Sequence, residues 1–137
     1  MITLDQYFGR WINHPDATPE RKANAQKLLD ACAALEFIAK DLGVKFYDNP
    51  ATECCQSGDE YGGFRPQSCP IGAPHSAHKE GLAVDLFDPR NEIDAWCMAN
   101  TAALRGCGIC IEHPDTTPNW SHWTIRVPVS GHTVFYP

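Results

Sequence analysis

The sequence predicts an α+β domain in which helices pack on a small, mainly antiparallel sheet. Three observations lead to this class: a long stretch with apolar residues at helical spacing, a shorter stretch of the same kind, and several short segments rich in strand-forming residues. The chain of 137 residues is the size of one domain, which would span residues 1–137. No internal repeat or linker divides it.

The first predicted element is a helix between Thr18 and Gly43. Thr18 suits the N-cap, Pro19 suits the first turn, and Gly43 is typical of a helix end. Apolar residues recur every three or four positions and form one stripe, which consists of Ala25, Leu28, Leu29, Cys32, Leu35, Ala39 and Leu42. This pattern predicts a scaffold helix.

A short strand is expected next in GVKFYD, residues 43–48, and it leads into a long irregular segment. Residues 49–74 are rich in Pro, Gly, Ser and Cys and show little periodicity. A loop of this length inside a compact domain is commonly functional. We therefore expect this loop to shape a binding site.

The rest of the chain predicts strands and one more helix. GLAVDLFD, residues 81–88, alternates and favours a buried strand with Ala83 and Asp85 on the same face. Residues 91–104 predict the second helix. Three further short strands are expected in GICIEH, SHWTIR and HTVFYP, residues 108–113, 121–126 and 132–137.

The charge of the chain argues against nucleic acid as a partner. Phosphate binding needs a concentrated basic surface, whereas the net charge is −6 and the eleven Lys and Arg residues are scattered. No stretch approaches the length of a membrane span, and the N-terminus lacks the apolar core of a secretory signal. We therefore expect no nucleic-acid partner, no membrane span and no signal peptide.

The seven cysteines allow several interpretations. Cys32 and Cys97 lie at helical core spacing, which predicts small buried residues. Cys107 and Cys110 form CGIC, which is typical of a redox pair or half of a zinc ribbon, but no second C-x-x-C occurs at ribbon spacing. Four cysteines could form a disulfide in an oxidising compartment: Cys54, Cys55, Cys69 and Cys107.

Two histidines and an aspartate offer a set of metal ligands. His78, Asp85 and His122 are the ligand mix of a catalytic zinc that keeps a fourth position for water. Zinc in such a site assists hydrolysis by activating water and polarising a carbonyl. Gly81 would allow a sharp turn between His78 and the strand that carries Asp85, and Ala83 would leave room for the ion. The alternative is that Asp85 only caps a strand end.

The segment S-A-H-K-E-G-L-A-V-D, Ser76 to Asp85, resembles the S-x-H-x-x-G-x-A-x-D signature of the zinc D-alanyl-D-alanine carboxypeptidase superfamily. This group includes the L-alanyl-D-glutamate endopeptidases of phage endolysins and, as a relative in fold, the hedgehog signalling domain. GGFRP is similar to the family's arginine loop, and IEHPDTTPNWSHWTI with SGHTVFYP resembles the final strands of a phage subgroup. The resemblance covers nearly the whole chain and implies a hedgehog/DD-peptidase-like fold.

The resemblance also implies roles for individual residues. One Zn²⁺ per chain would be held by His78, Asp85 and His122. Arg65 would face the substrate and stabilise carboxylate or oxyanion charge, with a surface salt bridge as the alternative. Ser76 would orient His78 or only stabilise a turn.

The general base departs from the family pattern. Many relatives carry an acidic residue three positions before the last histidine, where this chain has Asn119, which cannot accept a proton. Glu112 is the first candidate for the base and Asp115 the second, each with a pKa tuned upward by partial burial. Trp120 alternates with His122 along its strand and would form a wall of the substrate site or belong to the core.

Three functional hypotheses follow. The first is a zinc peptidase that hydrolyses stem-peptide or cross-link bonds of bacterial peptidoglycan, of the endolysin or phage-tail type. It would be made in the host cytoplasm and reach the periplasm or cell wall through a membrane-permeabilising partner. The second is a zinc-binding module of the same fold without catalysis, which Asn119 favours. The third is a redox or ribbon protein that depends on the CGIC motif.

Overall fold

The computed structural model describes residues 1–137 and contains four α-helices and one four-stranded sheet. The helices are α1 Leu4–Phe8, α2 Pro19–Asp41, α3 Glu92–Ala99 and α4 Thr101–Cys107. The strands are β1 Ala83–Phe87, β2 Cys110–Glu112, β3 Trp120–Thr124 and β4 Val134–Phe135. The predicted α+β class is confirmed. No helix combines the length and the apolar character that crossing a membrane requires.

The sheet has the order β1-β3-β2-β4. Strand β3 pairs antiparallel with both β1 and β2, whereas β2 pairs parallel with β4. The sheet is therefore mainly antiparallel, as predicted. All four predicted strands in the second half of the chain are present.

The two faces of the sheet differ because side chains alternate along each strand. One face belongs to the hydrophobic core, together with the buried stripe of α2, and carries Val84, Leu86, Ile111 and Trp123. The opposite face carries the candidate polar residues Asp85, Glu112 and His122. The core thus packs against one face of the sheet, and the candidate polar residues lie on the other face.

Helix α2 has nearly the predicted bounds. Thr18 is its N-cap and accepts a hydrogen bond from the backbone N–H of Arg21 at 3.3 Å, while Pro19 occupies the first turn. The predicted apolar stripe is buried with one exception: Leu42 is 62% exposed because the helix ends at Asp41. Cys32, in this helix, is buried as predicted, and so is Cys97 in α3.

Two sequence predictions were wrong. Residues 43–48 form no strand, because the free edge of β1 is already bonded by the following loop, where the N–H of Phe87 donates to Cys55 at 2.7 Å. The predicted helix over residues 91–104 is two helices. Asn100 separates them with φ −126° and ψ 41°, and its amide Nδ2 donates to the carbonyl of Trp96 at 2.8 Å.

Helix α1 was not predicted from periodicity. A capping box begins it, in which the N–H of Gln6 donates to the Thr3 hydroxyl at 3.2 Å and the N–H of Thr3 donates to the Gln6 side chain at 2.9 Å. Tyr7 then bonds two other segments: its hydroxyl donates to the carbonyl of Ala83 at 2.9 Å, and its carbonyl accepts from the N–H of Phe64 at 3.1 Å. The helix therefore joins β1 to the loop before it. The T-x-x-Q spacing was the available signal.

Candidate metal centre

Three buried side chains from three elements converge at the polar face of the sheet. His78 comes from a short 3-10 helix, Ala77–Glu80, Asp85 from β1 and His122 from β3. His78 Nε2 lies 3.2 Å from Asp85 Oδ1 and 3.3 Å from His122 Nδ1. His122 Nδ1 lies 2.7 Å from the same Asp85 Oδ1. The three atoms could hold a metal ion.

The spacing of these atoms fits a small tetrahedral ion. Ligands at about 2.0–2.1 Å from a tetrahedral centre are about 3.3 Å from one another. The two distances from His78 Nε2 match that value at 3.2 and 3.3 Å, and only the 2.7 Å contact between Asp85 and His122 is shorter. Lengthening that one edge by about 0.6 Å would complete the fit.

Strand register brings Asp85 and His122 together. They are direct partners in the antiparallel pairing of β1 with β3. The N–H of Asp85 donates to the carbonyl of Gly62 at 2.7 Å, and its carbonyl accepts from the N–H of Ser57 at 2.8 Å, so its backbone groups point away from β3. Antiparallel partners that do not bond each other have the closest side chains. The loop on the outer edge of β1 thus favours the contact.

His78 is held in the neutral form that a metal ligand requires. Its Nδ1 lies 2.7 Å from the carbonyl of Gly63, and because a carbonyl only accepts, Nδ1 carries the proton and Nε2 keeps its lone pair. Burial lowers the pKa of His78, which favours the neutral ring. Gly81 ends the 3-10 helix at φ 73°, and a Cβ there would lie 2.5 Å from the carbonyl of Arg21. The predicted sharp turn at Gly81 is confirmed.

Arg65 binds the second oxygen of the same carboxylate. Its Nη2 donates to Asp85 Oδ2 at 2.9 Å and its Nε to the carbonyl of Tyr61 at 2.7 Å, and the residue is only 8% exposed. The alternative of a surface salt bridge is therefore wrong. The guanidinium fixes the orientation of Asp85 so that Oδ1 faces the histidines, while its Nη1 makes no hydrogen bond.

The charges within the centre shift the pKa values in opposite directions. Burial alone would raise the pKa of Asp85, but its contacts with the imidazoles of His78 and His122 lower it well below its ordinary range. Burial would likewise lower the pKa of His122, but its hydrogen bond to Asp85 and the charges of Asp85 and Glu112 raise it overall. In the absence of a metal ion, a proton on His122 would hold these side chains together.

Glu112 lies beside the centre on the next strand. The register of β2 with β3 pairs Ile111 with Trp123, so Glu112 falls opposite His122. Its Oε1 is 3.9 Å from His122 Nε2, and its carboxylate accepts no hydrogen bond. Burial raises the pKa of Glu112, and the charge of Asp85 adds to the rise. Glu112 is thus a half-buried carboxylate that is free to exchange protons.

These side chains lie in a cleft with a volume of about 1150 Å³. Its lining includes the three ligands, Arg65 and Glu112, and also two residues predicted to contact substrate, Ser76 and Trp120. The Trp120 ring lies edge-on to the His122 ring, with centroids 6.3 Å apart. Ser76 makes no hydrogen bond to His78, whose partner is a backbone carbonyl instead. Ser76 therefore lies at the site without the orienting role predicted for it.

Asp115 does not reach the cleft. Its side chain is 77% exposed and faces His113 Nδ1 at 3.4 Å, in a short 3-10 turn, and Asp115 is not among the residues that line the cleft. Asn119 does line the cleft, and its φ of 68° is a left-handed conformation that asparagine tolerates well. Glu112 is therefore the only one of the two proposed bases that the structure places in the cleft.

The cysteines take no part in this centre. All seven are free thiols, and no group of potential metal ligands includes one. Burial raises the pKa of both Cys107 and Cys110, whereas a reactive thiol needs a lowered value. The CGIC motif thus lacks the electrostatic setting of a redox pair.

The residues that orient the candidate ligands through their backbones were not predicted from the sequence. Gly63 offers only a carbonyl, and its exchange for a larger residue is barred because a Cβ would lie 2.0 Å from the carbonyl of Tyr7. The glycine doublet before Phe64 was the one available signal. Tyr61 likewise acts through its carbonyl, for which no side-chain pattern exists.

Comparisons with protein-family models, with curated proteins and with solved structures found no match to this chain. The site is therefore characterised by its own geometry. That geometry consists of two imidazoles and a carboxylate in contact, an oriented arginine, and a free carboxylate on the neighbouring strand.

Proposed function

We propose that this protein is a zinc-dependent peptidase that hydrolyses the short peptides of bacterial peptidoglycan, with a hedgehog/DD-peptidase-like fold. One observation carries the proposal: His78, Asp85 and His122 meet at the floor of a large cleft with Glu112 beside them. A peptidase needs both parts, a metal centre open on one side and a carboxylate that can move a proton.

The donor set favours zinc among the common metal ions. Two imidazole nitrogens and one carboxylate oxygen are typical of catalytic zinc, whereas Ca²⁺ and Mg²⁺ prefer six or more oxygen ligands. Zinc bound in this way supplies a water whose pKa is about 7 and a Lewis acid for the scissile carbonyl. The neutral Nε2 of His78 and the ionised carboxylate of Asp85 already have the protonation states that such a ligand set requires.

The side chains of the cleft would have separate roles in binding and hydrolysis. Glu112 would take the proton of the attacking water on Oε1 and return it to the nitrogen of the leaving amine. Its raised pKa suits both transfers, since the ideal catalytic pKa lies near the working pH. Arg65 would orient Asp85 through Nη2 and offer its unused Nη1 to a substrate oxygen. Trp120 would contact the substrate from the side of the cleft.

The choice of substrate depends on the resemblance of residues 76–85 to the cell-wall carboxypeptidase signature. The cleft volume of about 1150 Å³ exceeds the common range for small-molecule pockets, which suits several residues of a peptide. In a phage setting the protein would be made in the host cytoplasm. It would then act in the periplasm or cell wall after a membrane-permeabilising partner has released it.

A second candidate is a zinc-binding module without catalysis. Asn119 favours it, because this position is acidic in many proteins with the signature. Against it, the left-handed backbone of Asn119 gives a conformational reason for asparagine there, and Glu112 offers a carboxylate in the cleft. An inactive module would have no need of that half-buried carboxylate.

The test compares two carboxylates of the same region. Glu112→Gln should keep the fold and the zinc, because the amide is nearly the same size and Glu112 is not a ligand. Release of soluble fragments from peptidoglycan should fall by about 10²–10⁴-fold, the usual contribution of a positioned proton transfer. Asp115→Asn is the matched control and should act at the parent rate, since Asp115 is exposed outside the cleft.

Zinc content is measured on each variant beside the rate. A parent protein that holds zinc but releases nothing from any type of cell wall would refute the peptidase and leave the binding module. If Glu112→Gln hydrolyses at the parent rate, the peptidase stands only with another base. A chelator should abolish the activity of the parent, and added Zn²⁺ should restore it.

A further inference from the structure

The charged side chains that line the cleft are almost all paired. Arg65 is bonded to Asp85, and Glu112 faces His122. The two carboxylates at one edge, Asp59 and Glu60, lie 2.9 and 3.7 Å from the guanidinium of Arg10, which is outside the cleft. Each of these charges therefore faces an opposite charge within the protein, and Asp59 and Glu60 share that of Arg10.

Arg126 is the exception. It lines the cleft beyond the end of β3 and is half-buried, yet it forms no ion pair with any carboxylate. Its Nη1 donates to the carbonyl of His75, a neutral acceptor, and its Nε and Nη2 donate to no protein atom. A guanidinium with free donors in a concave site is suited to a planar anion such as a carboxylate.

We propose that Arg126 binds a carboxylate of the substrate and makes the cleft selective for anionic peptides. This inference rests on the proposed peptidase and names the substrate group that its cleft would recognise. Arg65, in the FRP loop, already donates hydrogen bonds to Asp85 and to the carbonyl of Tyr61. Arg126 has more free donors and is therefore better suited to bind a substrate carboxylate. The protein as a whole is acidic, so this attraction has to be local.

The position of Arg126 indicates which part of the peptide it contacts. It follows His122 by four residues, which is at most about 13 Å along the chain, and the chain bends after the end of β3 at residues 125–126. Its bond to His75 directs the guanidinium toward the loop that precedes the 3-10 helix of His78. The recognised carboxylate would thus lie away from the scissile bond and be a determinant of binding rather than of the chemical step.

A purely structural role makes a different prediction. If Arg126 served only to join two loops through its bond to His75, Arg126→Gln would weaken the binding of every substrate to the same extent. A carboxylate contact weakens only those substrates that carry the anion. The two roles are separated by comparing matched ligands, one anionic and one neutral.

The experiment uses soluble peptidoglycan stem peptides with free carboxyl groups and the same peptides after conversion of those groups to amides. Binding is measured by calorimetry, and hydrolysis gives KM and kcat separately. The parent should bind the anionic form about 10–100-fold more tightly, the usual range for a charge-assisted contact. Arg126→Gln should remove most of this preference through KM, with kcat, zinc content and binding of the amidated form unchanged.

Two further variants complete the test. Arg126→Lys keeps the charge without the planar donors and should retain part of the preference. Arg105→Gln is the control for net charge. It removes an exposed arginine of α4 that lies outside the cleft and forms no ion pair, and it should leave the preference intact. The same loss in Arg105→Gln would point to net charge and overturn the proposal.

Other outcomes are equally decisive. A parent without preference, or one that binds neither peptide, overturns the inference, and so does an equal loss of both peptides in Arg126→Gln. A parent that prefers the anionic peptide through Arg126 but never cleaves it supports the inference and refutes the proposed function. Cleavage of the anionic and amidated peptides with equal KM refutes the inference and supports the proposed function.

Discussion

The two faces of strand β3 each meet a buried carboxylate, and the two carboxylates behave in opposite ways. On the cleft face His122 contacts Asp85, whose pKa is lowered well below its ordinary range. On the opposite face Ser121 donates to Asp94, whose pKa is raised to about 6. Asp85 is 4% exposed and Asp94 is fully buried, so burial is nearly the same for both.

The neighbours of Asp94 explain its behaviour. Burial raises its pKa most, and the charge of nearby Asp88 raises it further. Its hydrogen bonds come from the hydroxyls of Ser121 and Thr117, which lower the pKa less than burial raises it because they carry no charge. Trp123 in turn donates to the Ser121 hydroxyl at 2.9 Å. The charge of His113 also lowers the pKa of Asp94, but it is the smallest of these contributions.

The identity of the partners, more than burial, thus sets the charge of a buried acid. Asp85 is surrounded by two imidazoles and a guanidinium and stays ionised, which a metal ligand requires. Asp94 is bonded by hydroxyls and lies near another acid, and it retains its proton up to about pH 6. The first arrangement is suited to binding a cation and the second to joining α3 to β3.

The largest expected effect comes from removing the ionised carboxylate. Asp85→Asn should reduce bound metal from one per chain to nearly none, because it removes a ligand charge. It also leaves the buried guanidinium of Arg65 without its anion, which should lower the free energy of unfolding by about 3–5 kcal/mol. Metal analysis and urea unfolding measure the two effects. Asp94→Asn is the control and should keep its metal; full metal content in Asp85→Asn would contradict the ligand assignment.

A smaller effect is expected when the partner of Asp85 is altered but its charge is kept. Arg65→Lys cannot bond both Asp85 Oδ2 and the carbonyl of Tyr61 with the same fixed geometry. We expect zinc affinity to fall by about 10–100-fold, the usual cost of losing a group that orients a ligand. Competition with a zinc-binding dye measures it. Arg105→Lys, on the exposed surface, should match the parent, and equal affinity in Arg65→Lys would show that orientation of Asp85 is unimportant.

A third prediction concerns pH. Since the pKa of Asp94 rises from 3.8 to about 6 on folding, its contribution to stability is complete below about pH 4 and is lost as the pH rises through 6. The slope for one proton is at most about 1.4 kcal/mol per pH unit. Asp85 acts in the opposite sense and loses its contribution as the pH falls.

Urea unfolding of the zinc-free protein between pH 4 and 7 tests this difference. Asp94→Asn should show a smaller decline in stability than the parent as the pH rises over this range. The matched control is Asp115→Asn, an exposed acid that should keep the parent slope. Parallel slopes in the parent and Asp94→Asn would mean that the proton on Asp94 does not contribute to folding stability.

Much of the fold could be predicted because its elements carry local signals. The stripe of α2, the alternation of β1 and the short strands of the second half all follow from periodicity, and they predicted the class and most bounds. Residues 43–48 show the limit of that approach. They have strand-forming residues, but a strand also needs a free partner, and the loop after Cys55 occupies that edge of β1.

The candidate site divides in the same way. His78, Asp85 and His122 could be chosen from residue type and spacing, and the structure brings them together. The contacts that orient these side chains could not be predicted, because they are made by the backbone carbonyls of Gly63 and Tyr61 and every residue type has a backbone carbonyl. The partner of Arg65 was equally hidden, since nothing local indicates that a residue twenty positions later will accept its hydrogen bond.

Tyr7 links the first helix to both segments that supply or orient the ligands, and this has a consequence for how the protein opens. The N–H of Phe64 donates to Tyr7 and that of Asp85 to Gly62, so the same small group of contacts shields both amides. We expect these two amides to exchange with deuterium together, and only in openings that also release Tyr7. An isolated β1 edge would fray on its own, whereas here the ligand strand should remain closed as long as α1 stays docked.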